Sequence, residues 1–191
     1  MKKIKNSENY ESIEVIMLEI FYPEIDINSI YDLPLDLLKT KGIRLICFDI
    51  DNTVVPYDVP EPSFKEISFF KNLMEKGFKV CFISNNTHHR TDLFNEKIGG
   101  YALPRASKPK AKKLLEFLES LNITAEETAL VGDQLFTDVW CAKNAKALSI
   151  LVKPVSNRDQ IQTKVKRGLE RMVYKRYLKW KKKHPESGNL V

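Results

Sequence analysis

Three apolar runs of similar length, each stopping at a polar residue, constrain this chain more than anything else in it. Residues 43–49 (Ile-Arg-Leu-Ile-Cys-Phe-Asp), 78–84 (Phe-Lys-Val-Cys-Phe-Ile-Ser) and 127–133 (Glu-Thr-Ala-Leu-Val-Gly-Asp) are rich in β-branched, aromatic and aliphatic residues. Short apolar runs of this kind are what strands buried on both faces look like. Helical patterns separate them. Residues 63–76 carry Phe64, Ile67, Phe70, Leu73 and Met74 on one face, with Gly77 at the C-cap, and a second helix is expected over 87–97. A short strand is expected near Tyr101, and Lys108-Pro109 reads as the opening of a helix with Leu114, Leu115, Leu118 and Leu121 on one face. Alternating strands and helices predict an α/β fold with a mainly parallel sheet. In such sheets ligands bind beyond the carboxyl ends of the strands.

What stands at those ends is chemical. The first run closes with Asp49-Ile50-Asp51-Asn52-Thr53, and on a strand residues i and i+2 point the same way, which predicts two carboxylates side by side. Two such groups repel and are costly to desolvate unless a cation lies beside them, and a hard ion such as Mg²⁺ suits carboxylate and carbonyl oxygens. The second run ends in Ser84-Asn85-Asn86, and the third in Gly132-Asp133, with Asp138 five residues on. Taken singly each has a bland account. Ser84 could cap a helix, Lys108 could be a solvated helix-start residue, and Asp133 and Asp138 could be a cap and a surface charge. Together, in one order and all at strand or helix ends, they form a set.

That set resembles the haloacid-dehalogenase (HAD) superfamily, whose motifs are Asp-x-Asp-x-Thr, a strand-terminal Ser or Thr, a Lys and an acidic pair. More narrowly the chain is similar to the YqeG-type phosphatases of HAD subfamily III. The carriers are Asp49-Ile-Asp-Asn-Thr-Val, Ser84-Asn-Asn, Lys108-Pro, Gly132-Asp-Gln-Leu-Phe-Thr-Asp138 and the basic segment after Lys153-Pro-Val. The likeness runs from about Leu18 to Lys183, and Ala106-Ser107 precede Lys108 where that family often has a second basic residue. It implies a Rossmann-like three-layer HAD fold and Mg²⁺-dependent hydrolysis of a phosphomonoester through an aspartyl-phosphate. By resemblance Asp49 is the nucleophile and Asp51 the general acid and base. Asp49, the carbonyl of Asp51 and Asp133 hold the metal, and Asp138 holds metal water or orients Lys108. Ser84 and Lys108 bind phosphoryl oxygens, with Asn52 and Asn85 as weaker candidates for the same shell. Characterised relatives in the subfamily include mitochondrial phosphatidylglycerophosphate phosphatases, which makes that lipid a candidate substrate. The rivals are a soluble, protein or nucleotide phosphomonoester, and a basic RNA- or ribosome-binding module on the same scaffold.

Spacing bears on access. The 32 residues between Asp51 and Ser84 are used by the helix, the strand and a loop (54–62) carrying Pro56, Pro60 and Pro62, and only 23 separate Ser84 from Lys108. Neither interval can hold a self-supporting cap domain, so the site is expected to be open within a single domain of 191 residues.

The charge is uneven. Residues 158–183 carry eleven Lys or Arg against Asp159 and Glu170, a net of +9 in a chain of +6, which leaves −3 elsewhere. Ile161, Val165, Leu169, Met172, Tyr177 and Trp180 recur there at helical spacing, so the segment reads as a basic amphipathic helix. Packing on its own domain, contact with an anionic membrane, and RNA binding all stay open, and residues 184–191 are expected to be disordered. Residues 1–40 read as a helical extension with two short helices. Apolar residues there (Ile13, Val15, Ile16, Leu18, Ile20, Phe21) are too few and too interrupted by charge for a membrane span, and no signal-peptide pattern is present. Cys47, Cys81 and Cys141 have no ligand spacing and read as buried thiols in a reducing cytoplasm, while His88-His89 read as exposed.

Overall fold

The computed structural model describes residues 18–156 and 161–184, with residues 161–166 as helix backbone alone. A 3₁₀ turn at Glu19–Phe21 leads to β1 (Ile25–Ile27), a second 3₁₀ turn (Ile30–Asp32) and α1 (Leu35–Thr40). Then follow β2 (Leu45–Phe48), α2 (Phe64–Glu75), β3 (Lys79–Ile83), α3 (His88–Glu96), β4 (Tyr101–Leu103), α4 (Lys112–Ser120) and β5 (Thr128–Gly132). A π-helical turn (Leu135–Val139) runs into α5 (Trp140–Ala145), and β6 (Leu148–Val152) and α6 (Ile161–Lys183) complete the described elements.

The six strands form one parallel sheet in the order β1-β6-β5-β2-β3-β4. Pleat alternation splits each strand between two cores. Ile46 and Phe48 of β2 face one side with Phe82, Phe70 and Leu73 of α2 and Phe94 of α3. Leu45 and Cys47 face the other with Ile83, Leu114 and Leu118 of α4 and Cys141, Ala142 and Ala145 of α5. That is the three-layer architecture expected. From β2 the sheet grows towards β4 on one side and towards β1 on the other, and at such a reversal a crevice opens beyond the strand ends. The β2–β3 and β3–β4 connections hold only loops and the single helices α2 and α3.

Several local expectations hold for identifiable reasons. Helix α2 starts at a capping box, in which the Ser63 hydroxyl accepts from Lys65 N and Glu66 reaches back to Ser63 N, and it ends before Gly77 at φ +91°. The three cysteines are buried and unbridged, and His88 and His89 are exposed.

Other expectations are corrected. Lys108-Pro109 does not open a helix: α4 begins at Lys112, because both backbone polar groups of Lys108 are bonded to Asn85 instead. Leu115 is exposed, with Leu114 and Leu118 forming the packed stripe, and Phe64 is 84% exposed at the first turn of α2. The amino-terminal region contains an edge strand, β1, which pairs with β6 across 125 positions. Strand β6 (Leu148–Val152) is a further strand beyond those expected. Ile13, Val15, Ile16 and residues 185–191 lie outside the described residues, and His184 stacks on Trp180.

Helix α6 packs on its own domain, through only part of the stripe expected from the sequence: Tyr177 and Trp180 face inward, whereas Leu169 and Met172 do not. Leu169 and Met172 are more than half exposed, while Glu170, Val173 and Tyr177 are buried. Tyr177 and Trp180 lie against Tyr22 at 5.4 and 5.5 Å between ring centroids, and Lys181 pairs with Asp26 of β1 at 3.0 Å. The side chains of Ile161 and Val165 lie outside the described residues. No described helix is long and apolar enough to cross a membrane.

Candidate active site

Asp49 stands one residue beyond β2, its backbone N–H donating to Val131 of β5. Its carboxylate is buried, with Oδ1 2.6 Å from the Lys108 ammonium and Oδ2 accepting from the Thr53 hydroxyl at 3.2 Å. The same hydroxyl lies 3.2 Å from Oδ1 of Asp133, just beyond β5. One hydroxyl has one proton, so it can satisfy only one of these two facing oxygens at a time.

Lys108 is buried and makes a second ion pair, 2.7 Å to Oδ1 of Asp138, and a bond to the Ile83 carbonyl at 3.1 Å. Burial alone would lower the lysine pKa, but Asp138 and Asp49 outweigh it and hold the ammonium above its usual range. The backbone of Lys108 is clamped by Asn85, which accepts from its N–H at 2.7 Å and donates to its carbonyl at 2.9 Å. Ser84 is buried at the end of β3, and its hydroxyl accepts from Asn86 N at 3.0 Å. Asp138 sits in the π-helical turn, its second oxygen accepting from Gln134 N at 3.1 Å. This packing requires a glycine at 132, since a Cβ there would lie 2.3–2.4 Å from three side-chain atoms of Asp138.

One carboxylate oxygen from each of Asp49, Asp133 and Asp138 lies within 4.8 Å of the others, all three residues being buried. Burial pushes Asp49 up to about 8, opposed by Lys108 and reinforced by Asp138 and Asp133. Burial likewise carries Asp133 up to about 6, opposed by Arg167 and reinforced by Asp138. Three buried carboxylates against two cations leave an excess negative charge, and the donors are all oxygen. These features fit a hard divalent ion.

The structure thus brings Asp49, Lys108, Asp133 and Asp138 into one cluster, Lys108 paired with Asp49 and Asp138 and Thr53 lying between Asp49 and Asp133, with Ser84 and Asn85 on the adjoining strand end. Asp51 is set apart. The strand ends at Phe48, and Asn52 turns the chain at φ +64°, so the period-2 alternation that predicted paired carboxylates does not extend to Asp51. Its Oδ1 accepts from Arg90 of α3 at 3.0 and 3.2 Å, and its Oδ2 lies 3.4 Å from the Asn86 amide. Arg90 also donates to the Pro60 carbonyl, which ties the proline-rich loop to α3.

Three residues escaped the sequence reading. Thr53 was visible within the motif but had no partner assigned. Arg90 and Arg167, the latter paired with Asp133 from α6, are single arginines on helices, and nothing local distinguishes them from solvated ones.

Comparison with known proteins accords with this geometry. A family model described as HAD-hydrolase-like matches residues 105–168. The chain is 31% identical over 158 residues to the probable phosphatase YqeG of Bacillus subtilis, which covers 83% of this chain and 92% of that protein. The chain belongs to the YqeG family of HAD phosphatases. It is also 25% identical over 181 residues to phosphatidylglycerophosphate phosphatase 1, chloroplastic/mitochondrial, of Arabidopsis thaliana, covering 88% of this chain and 51% of that protein. This YqeG-family chain therefore spans about half the length of the plant relative. Among solved structures, a hypothetical protein from Xanthomonas campestris shares the HAD fold, with a TM-score of 0.51 and 17% identity over 66% of this chain and 72% of that one.

Proposed function

We propose that this protein is a Mg²⁺-dependent phosphomonoester hydrolase that works through an aspartyl-phosphate on Asp49. The observation that carries the reading is the split between two carboxylates two positions apart. Asp49 is buried against Lys108 in the acidic cluster, and Asp51 is half-buried against Arg90 outside it. A covalent route needs both kinds of group, a nucleophile held in place and a separate acid–base.

In this reading an Asp49 oxygen attacks phosphorus, and the P–O bond to the alcohol breaks as Asp51 gives its proton to the departing alkoxide. Asp51 then takes a proton from water, which attacks the aspartyl-phosphate, releasing orthophosphate and regenerating the Asp49 carboxylate. Lys108 opposes the burial that favours protonated Asp49 and, with Ser84, meets the phosphoryl oxygens; accepting from Asn86 leaves the Ser84 hydroxyl its own proton to donate. Asn85 acts by fixing Lys108 rather than by touching phosphate. A divalent ion on Asp49 and Asp133, with Asp138 behind it as the partner of Lys108, would supply charge neutralisation between anionic nucleophile and anionic phosphoryl group.

For the substrate, the favoured class is a phosphorylated lipid headgroup such as phosphatidylglycerophosphate. Similarity to the Arabidopsis phosphatase supports it. So does the outer face of α6, where Leu169, Met172 and Leu178 stand exposed among Arg171, Lys175, Arg176, Lys179, Lys182 and Lys183. An anionic membrane surface attracts such cations by roughly 1 kcal/mol each. In this reading the protein works peripherally, at the inner face of a membrane.

The test is Mg²⁺-dependent phosphate release from phosphatidylglycerophosphate in mixed micelles, beside a soluble phosphomonoester, with Asp49→Asn as control. Faster release from the lipid, lost in the variant, is the expected result. Equal or better turnover of the soluble ester would discard the lipid and keep the hydrolase. Release from neither, together with salt-sensitive RNA binding indifferent to Asp49→Asn, would favour the binding-module alternative.

A further inference from the structure

We propose that the C-terminal helix α6 is a working part of the metal site, with Arg167 as the positioning residue that sets the Asp133 carboxylate. Docking of α6 and binding of a divalent cation are then coupled. The inference rests on Asp133 being a cation ligand, as argued above.

Arg167 contacts Asp133 twice, through a bond to the main-chain carbonyl at 2.9 Å and an ion pair with Oδ2. The latter leaves Oδ1 as the oxygen turned towards Thr53 and Asp49. One turn on, Glu170 lies 3.5 Å from the Arg167 guanidinium and accepts from Phe136 N at 2.9 Å. Two helical positions one turn apart (i, i+3) therefore staple both ends of the segment 133–136, which carries the ligand. The contact joins two residues 34 positions apart in the chain, one just beyond β5 and one on α6.

A simple packing account fits poorly. Glu170 is only 5% exposed on a helix otherwise crowded with lysines and arginines, and burying a carboxylate and a guanidinium costs more than an apolar tether would. Nor is the helix pressed flush against the sheet at this point. A cavity of about 580 Å³, walled by Ile27, Leu151, Val152 and Tyr174, opens beside Arg167, so the side chain reaches Asp133 at the margin of a gap. Further along, Val173 and Tyr177 are buried and Lys181 pairs with Asp26, which gives the helix a firm anchor from which to hold the guanidinium.

Groups that orient a metal ligand from behind are worth about 10–100-fold in metal affinity. Arg167→Gln should weaken Mg²⁺ by that factor in titration calorimetry and Mn²⁺ in an EPR titration. Linkage is reciprocal, so saturating Mg²⁺ should slow tryptic cleavage at the exposed Lys175, Arg176 and Lys179 of the wild-type helix, and should lose that effect in the variant. Glu170→Gln, which keeps an acceptor for Phe136 N but gives up the charge facing Arg167, should fall between the two. Arg171→Gln, at an exposed neighbour, should bind both ions as the wild type does, and circular dichroism melts confirm that each variant is folded.

A folded Arg167→Gln protein that binds Mn²⁺ as tightly as the wild type, or more tightly, would overturn the proposal. So would cleavage of α6 that is indifferent to Mg²⁺. Failure of the wild type to bind either ion at the Asp49–Asp133 site would instead remove the metal reading on which the proposal stands. Should Arg167→Gln fail to fold, the Glu170→Gln titration decides alone.

Discussion

Asp49 and Asp51 are two residues apart and live in different solvents. Asp49 is buried, shares Lys108 with Asp138, and is pushed up to about 8 by its burial. Asp51 is partly open to water, gripped by an arginine from α3 and shadowed by the Asn86 amide. The lesson is that a two-residue motif acquires two jobs from what is packed around it. The surroundings of the first come from the Lys108 turn, the π-helical turn and the end of β5, and those of the second from α3 and the loop before it.

The hardest blow to that contrast is Asp49→Asn, which should cut turnover on the order of 10⁴-fold or more while leaving the melting temperature close to normal. Substantial residual phosphate release would mean that Asp49 is not the nucleophile. Asp51→Asn should cost about 10²–10⁴-fold on an alkyl phosphate and less on an aryl phosphate, whose leaving group needs no proton. Equal losses on both would remove Asp51 from the acid role. Gly132→Ala should follow, at about 10²-fold, because its methyl group would displace Asp138 and with it the partner of Lys108. A Gly132→Ala enzyme with wild-type kcat would show that the Lys108–Asp138 pair is dispensable. Arg90→Gln should cost roughly tenfold, in kcat more than in KM, chiefly through Asp51.

The mildest effect is on stability. Burial pushes Asp49, Glu170 and Asp133 up to about 8, 7 and 6 in the folded chain, from ordinary values of 3.8, 4.5 and 3.8. The folded state therefore holds more protons than the unfolded one between about pH 4 and pH 8. Its stability is greatest at the acid end of that window and falls as pH rises through the folded values. In EDTA the melting temperature should drop by on the order of 5 °C from pH 5.5 to pH 8, and Mg²⁺ should restore more of it at pH 8 than at pH 6, since metal displaces those protons. A melting temperature that rises with pH in EDTA would contradict the burial of this cluster.

Legibility in the sequence followed the range of the interactions. Strands β2, β3 and β5 could be read because strands buried on both faces are apolar throughout, and Asp49, Ser84 and Asp133 could be read because they stop those runs. Lys108 was found, but its turn was not, since the Asn85 clamp that replaces helical bonding is 23 residues away. Strand β6 (Leu-Ser-Ile-Leu-Val before Lys153-Pro154) carried a usable signal of the same kind as the other three. Strand β1 did not, being three residues long with Asp26 at its centre and a partner 125 positions distant. The expected stripe of α6 holds at Tyr177 and Trp180 and fails at Leu169 and Met172, because helical periodicity cannot tell which of two half-apolar stripes meets the domain. Tyr22, Asp26 and Phe136 decided that, and they come from three separate elements.

The meeting of β1 with β6 has a further consequence for how the molecule comes apart. A three-residue edge strand and a helix joined to it by Tyr22, Asp26, Tyr177 and Lys181 form a patch that can detach while the central β5-β2-β3 strands stay paired. Regions of this kind open well below the global unfolding free energy. Because this patch includes Arg167, warming should idle the catalyst before it denatures it: heat inactivation would set in below the calorimetric transition and reverse on cooling.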